Sequence, residues 1–194
     1  LWGGEGEMKQ IVRPMVILGI ICIVCAGLLG VVESVTREPI RVQAEKTATE
    51  GMKKVAPDAD SFEAIDIDAD ANYEGTAVAS ANLAVDASGE IIGYVVEVLP
   101  SGFGGTIDLM VGVDTEGVVT GISILSLSES PGLGARAKED WFQEQFIGMT
   151  APVTVQKDGG QVQAITSSTI TSRAVSLGVT AACGWAAENV GGAN

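Results

Sequence analysis

Two short segments carry the residues whose types and spacing suit chemistry. The first is Thr166-Ser-Ser-Thr169-Ile-Thr171-Ser172, with six hydroxyl side chains in seven positions and Arg173 directly after it. It reads as the start of a helix capped by Ser167 or Ser168, where unpaired backbone N–H groups and the helix dipole favour a phosphate. Arg173, one turn in, is placed to help neutralise such a charge. The second segment is Ser128-Glu129-Ser-Pro131-Gly132-Leu133-Gly134-Ala-Arg136. Pro131 fixes a turn, while Gly132 and Gly134 let backbone approach a flat ligand or take positive φ. Each segment also has an ordinary structural reading, as a strand-exit turn and as a Ser/Thr-rich helix cap.

Composition removes many alternatives. The chain has no histidine, which excludes the usual general base, Ser-His-Asp and Cys-His arrangements, and most zinc sites. No catalytic side chain of its own is expected, and any chemistry must come from carboxylates, hydroxyls or a borrowed cofactor. Three cysteines do not make a disulfide framework. Cys22 and Cys25 offer only two ligands within an apolar run and read as small membrane-helix residues, so no metal site is expected. Residues 33–194 carry nine Lys or Arg against 23 Asp or Glu, and so hold the whole net charge of −14. Such a surface repels phosphate backbones, which sets nucleic-acid binding aside.

The elements that must position these segments follow from the pattern of apolar residues. Met15 to Val32 is 18 residues without a charge, roughly 27 Å as a helix at ~1.5 Å per residue. The absence of a small-residue cleavage pattern favours a retained anchor over a signal peptide. The short N-terminal segment and the long acidic domain predict the N-terminus inside and the domain outside. Cys22, Ala26 and Gly30 recur every fourth residue as a candidate helix-packing face. Residues 1–7 read as foreign to a native start, with Met8 a candidate initiator.

Pro39 is expected to end the membrane-proximal segment, with a helix from about Val42 to Val55 and an acidic linker to Glu74. Strands are predicted at 77–85, 91–99, 106–113 and 118–127. Gly-bearing turns at 86–89 and 114–117 pair them as two hairpins. A short helix is expected at 137–146, with Trp141, Phe142 and Phe146 as apolar anchors. Short strands are expected at 153–156 and 162–164, and a last helix to about Asn189. The fold class is α+β, one N-terminal transmembrane helix followed by a single domain with a twisted antiparallel sheet and flanking helices. The expected division is 1–14 (cytoplasmic), 15–34 (transmembrane), 35–75 (membrane-proximal helix and acidic linker) and 76–194 (the ligand-binding domain).

The two chemical segments resemble the FMN-binding domain shared by the G subunit of the Rnf electron-transport complex and the C subunit of the Na+-translocating NADH:quinone reductase. In that family a loop of the form SETPGLG precedes an S-G-A-T-x-T-S segment, and a flavin transferase esterifies FMN phosphate onto the threonine of S-G-A-T. Here the first stands as Ser128-Glu-Ser-Pro-Gly-Leu-Gly134 and the second as Thr166-Ser-Ser-Thr169-Ile-Thr171-Ser172. The likeness runs from roughly Met8 to Val190 and includes the Gly102-Phe-Gly-Gly105 turn.

The resemblance implies FMN as a phosphoester on Thr169, with Thr171 the nearest rival. Ser167, Ser168 and Arg173 stand near the phosphate; Glu129, Pro131, Gly132, Leu133, Gly134, Gly104 and Gly105 are candidates to line the isoalloxazine. It further implies an electron carrier in an ion-translocating ferredoxin:NAD oxidoreductase of a bacterial or archaeal cytoplasmic membrane. Its partners would be the other membrane and redox subunits, the membrane, and a flavin transferase during maturation. The alternatives are the homologous quinone-reductase component, which is usually longer, and a non-redox membrane-anchored sensor or assembly module.

Overall fold

The computed structural model describes residues 4–68 and 70–189; the ends of the expected N-terminal segment and of the binding domain lie outside the described residues. The chain divides into two units between Lys46 and Thr47. The first unit is helical. Helix α1, Gly4–Val55, runs through Pro14 and Pro39 without a break, so the expected end at Pro39 is corrected. A proline inside a helix deletes the N–H that would bond the carbonyl four residues back. The adjoining turns carry their own support here: Glu33 pairs with Arg37 and Glu38 with Arg41, and the Ser34 hydroxyl donates to the Val31 carbonyl at 2.9 Å. Among the described residues this is the one helix long and apolar enough to cross a membrane. An 18-residue window within Pro14–Val55 has a mean hydropathy of 3.0 and is wholly unburied.

The second unit is built on an antiparallel sheet. Its strands are β1 (Ser61–Ile65), β2 (Asn72–Tyr73), β3 (Thr76–Val85), β4 (Ile91–Leu99), β5 (Ile107–Asp114) and β6 (Val119–Leu127). The order is β1-β3-β4-β5-β6, with β2 also on β3. Two turns of like chemistry set the hairpin registers. Asp86 Oδ1 accepts the Ser88 and Glu90 N–H groups, and Asp114 Oδ1 accepts those of Glu116 and Val118. Each turn closes on a glycine at φ above 80°, where a side chain would strain the backbone.

Alternation along β5 separates two apolar layers. Ile107, Leu109, Val111 and Val113 join the larger core, which the C-terminal helix α3 (Thr169–Asn189) completes with Val175, Val179 and Ala182. Met110 turns to the opposite face and joins Val55, Val95 and Ala84. Each fully buried valine, leucine, isoleucine or methionine among them contributes roughly 1.5–3 kcal/mol. Residues 47–55 of α1 belong to this second unit, and Val55 sits hard against that second face. A Cβ on Gly112 would collide with the Val55 carbonyl, and the Thr120 hydroxyl donates to the same carbonyl at 2.6 Å.

Two further expectations are corrected. The predicted helix 137–146 is three short pieces, at Gly134–Lys138, Asp140–Gln143 (α2) and Glu144–Phe146. The break lies at Glu139, whose backbone is extended (φ −72°, ψ 140°). Phe142 and Phe146 are fully buried and Trp141 is half-exposed, so apolar anchoring rather than helical hydrogen bonding fixes this segment. The expected strands at 153–156 and 162–164 reduce to a single bridge between Val155 and Val162.

Two carboxyls meet on the sheet. Glu97 accepts a hydrogen bond from the Ser80 hydroxyl at 2.6 Å. Burial first, and the Glu97 charge second, raise the neighbouring Asp108 carboxyl to about 7. An unfolded chain ionises aspartate near pH ~4, so between there and about pH 7 the folded state holds a proton that the unfolded state has lost. Stability attributable to Asp108 therefore falls as pH rises through that window. Asp108→Asn is expected to raise the melting temperature clearly at pH 8 and little at pH 4.5; an equal effect at both values would contradict the assignment.

Candidate functional site

The site is assembled around Glu129, which leaves β6 at the edge of the sheet and is almost wholly buried. Its Oε1 accepts the backbone N–H groups of Phe103 at 2.7 Å and Gly104 at 3.1 Å. Its Oε2 accepts the hydroxyl of Thr171 at 2.9 Å. One carboxylate thereby ties the β4–β5 turn and the first turn of α3 to the 128–134 loop. Hydrogen bonds to a charged acceptor are the stronger class, worth roughly 1.5–3 kcal/mol each. The approach is close enough to require glycine at 134, where a Cβ would stand 2.5 Å from Glu129 Oε2 and 2.7 Å from Thr171 Oγ1.

The hydroxyl run divides into structural and accessible members. Ser172 is fully buried; its Oγ accepts the Ile165 N–H at 2.9 Å and donates to the Ser168 carbonyl at 3.0 Å. Thr171 is also buried and committed to Glu129. Thr169, the first residue of α3, is half-buried, and its hydroxyl accepts a hydrogen bond from Lys157 Nζ at 3.0 Å. Ser167 takes a left-handed conformation, φ 63°, where the resembling family carries glycine. A non-glycine residue there costs on the order of 1 kcal/mol.

A cleft of about 390 Å³ opens at this junction, within the ~300–1,000 Å³ of small-molecule sites. Of the residues singled out in the sequence, Glu129, Leu133, Gly134, Ser167, Ser168, Thr169 and Thr171 line it together. Phe103, Ser130 and Ile170 complete the lining. Phe103, Leu133 and Ile170 are large apolar side chains left substantially exposed, a grouping that marks a binding surface.

Five of the expected residues stand outside the lining. Gly104 and Gly105 build the turn that Glu129 clasps, Gly105 through its carbonyl to the Gly102 N–H at 2.8 Å. Pro131 and Gly132 form the exposed turn closed by the Leu133 N–H on the Ser130 carbonyl. Arg173 points to Asp158 in a two-pronged pair at 2.7 and 2.6 Å, which raises the guanidinium and lowers the carboxyl pKa.

Phe103, Ser130 and Ile170 in the lining, and Lys157 beside it, were not expected from the sequence. Lys157 lies in a short 3-10 turn, Gln156–Asp158, and the Asp158–Arg173 pair fastens that turn to α3. The fastening is what brings Lys157 to Thr169. The run Lys157-Asp-Gly-Gly160 has turn composition and nothing more; its proximity to Thr169 depends on tertiary packing.

Comparisons with known proteins add relatives to this geometry. The FMN-binding domain family matches residues 102–184, which include both cleft-forming loops. The RnfG N-terminal region matches residues 7–55, which include α1 almost entirely. The G subunit of an ion-translocating oxidoreductase complex from Methanosarcina acetivorans is 34% identical over 87% of this chain and 90% of its own length. The G subunit of the Na+-translocating ferredoxin:NAD+ oxidoreductase complex from Acetobacterium woodii is 35% identical over 89% and 90%. The proton-translocating counterpart of Clostridium ljungdahlii is 34% identical over 84% of each chain. Among solved structures, NqrC of Shewanella oneidensis aligns at 20% identity with a TM-score of 0.45 over 53% of this chain and 54% of that one.

The geometry yields a direct test of the Glu129 clasp. Glu129→Gln keeps the shape but places an amide NH2 where an acceptor is needed. It is expected to lower unfolding free energy by about 1.5–3 kcal/mol in denaturant titrations; a change within experimental error would contradict the clasp.

Proposed function

The chain belongs to the G-subunit family of ion-translocating oxidoreductase complexes, and from that premise we propose that it relays electrons through an FMN esterified to Thr169 within a membrane-bound ferredoxin:NAD oxidoreductase of the Rnf type. The observation that carries the reading is the cleft at the start of α3, which joins an accessible threonine hydroxyl, a lysine and an apolar mouth. A flavin, when bound, supplies the redox chemistry that a histidine-free chain lacks. The protein's part is to hold, orient and present it.

The residues fit that task. Residues 56–194 contain four Lys or Arg against 19 Asp or Glu, so an anionic phosphodiester has few places to settle. Arg136 is paired with Glu139 and lies over Trp141. Lys138 donates to the Leu125 carbonyl, and Arg173 is bound by Asp158. Lys157 is the cation that faces Thr169, and with the N–H groups opening α3 it would hold the phosphate. Phe103, Leu133 and Ile170 would take the faces and edge of the isoalloxazine. Thr169 rather than Thr171 is the attachment residue in this reading, because Thr171 is sealed and its proton is given to Glu129.

Partners follow from the same reading. A flavin transferase must reach the 166–169 turn, which is exposed at Thr166 and Ser167. Helix α1 would anchor the chain in the membrane with the N-terminus cytoplasmic and the flavin domain outside, beside the other subunits of the complex. Covalent attachment keeps the cofactor where free FMN is scarce.

The test uses membranes containing the assembled complex. Thr169→Val is expected to reduce ferredoxin-dependent NAD+ reduction to the background of a strain lacking this chain, while the remaining subunits still co-purify with it. Turnover at the wild-type rate in that variant would overturn the proposal.

A further inference from the structure

The cleft at the start of α3 is electrically one-sided. Among the described residues its lining holds a single charged side chain, the carboxylate of Glu129, and that residue is only 8% exposed. The cations in its neighbourhood are engaged elsewhere. Arg173 is bound by Asp158 and Arg136 by Glu139, while the Lys138 ammonium donates to the Leu125 carbonyl. Lys157 stands 3.0 Å from the Thr169 hydroxyl, at the end of the cleft where a phosphate would balance its charge.

The rest of the lining is glycine, hydroxyls and the apolar side chains of Phe103, Leu133 and Ile170. A flat ring that fills the cleft displaces the water that would otherwise screen the carboxylate, and a charge acts more strongly across such surroundings than across water. The clasp keeps that charge in place. Two backbone N–H groups and the Thr171 hydroxyl hold both carboxylate oxygens, so the carboxylate cannot swing away from a bound ring.

We propose that Glu129 sets the potential of the carrier: its charge lowers the reduction potential of a flavin held in this cleft and makes the reduced flavin the stronger electron donor. The inference rests on the flavin reading given above. Two-electron reduction of a flavin with uptake of one proton leaves one negative charge on the ring, which the oxidised ring lacks. A fixed carboxylate beside the ring therefore opposes the reduced state and leaves the oxidised state almost untouched. At ~8 Å and an effective dielectric of ~20, one unit charge shifts such an equilibrium by more than about tenfold. Tenfold corresponds to about 30 mV for a two-electron couple.

The test is spectroelectrochemical titration at pH 8 of the full-length chain, purified in detergent micelles from cells that contain a flavin transferase. At the poise where the wild-type flavin is half reduced, Glu129→Gln is expected to raise the ratio of reduced to oxidised flavin about tenfold or more. Glu129→Asp disturbs the clasp but keeps the charge, and is expected to stay near the wild-type ratio. Ser130→Lys adds a cation to the same lining from an exposed position whose side chain is outside the clasp. It is expected to raise the ratio as Glu129→Gln does, and it carries the test if the glutamine variant does not fold. An unchanged or lowered ratio in folded Glu129→Gln, the same result in Ser130→Lys, or an equal rise in Glu129→Asp would overturn the role and leave the flavin reading standing. A wild-type chain that carries no flavin would overturn that reading, and this role with it.

Discussion

The site rests on the Glu129 carboxylate, buried between two backbone amides and one hydroxyl. Taken alone, a carboxylate removed from water is expensive. Here three donors from two distant segments converge on it, and the cost becomes a specification. The β4–β5 turn and the start of α3 can meet the loop after β6 only if each presents its donor to Glu129 at the right place. Gly134 permits the approach by having no side chain. The cleft is the space left over at that junction, so its shape is set by the clasp.

A second fastening acts on the other side of α3. The Asp158–Arg173 pair is exposed, and pairs of that kind contribute little to stability. Its consequence is positional, since it holds the 156–158 turn against the helix and thereby sets Lys157 beside Thr169. The two fastenings together give Thr169 a reachable hydroxyl and a cation while sealing Thr171. Such an arrangement suits a flavin tethered at the helix start in a chain whose relatives bear the names of ion-translocating oxidoreductases.

Much of this was legible in the sequence for local reasons. The strands followed from β-branched runs, and their hairpins from the Asp-x-x-Gly turns at 86 and 114, whose hydrogen bonds stay within five residues. The loop at 128–134 and the hydroxyl run at 166–172 stood out by composition. What was not legible is non-local. Arg173 looked like a phosphate ligand because its partner, Asp158, is fifteen residues away across a turn. Lys157 escaped notice for the same reason. Pro39 was read as a helix end from a strong local rule, which the continuous α1 overrides. Residues 137–146 have helix-like spacing, but burial of Phe142 and Phe146 against the sheet is met by short turns. Thr169 was read as the attachment residue with Thr171 its nearest rival, and two residues along a helix place them on different faces, one toward Lys157 and one toward Glu129.

The most direct measurement is tandem mass spectrometry of the proteolysed chain, purified from cells that contain a flavin transferase. The account predicts one flavin-bearing peptide, with fragment ions placing the FMN on Thr169 and leaving Thr166, Ser167, Ser168 and Thr171 unmodified. FMN on Thr171, which would require the Glu129 clasp to open, or no flavin-bearing peptide at all, would contradict it.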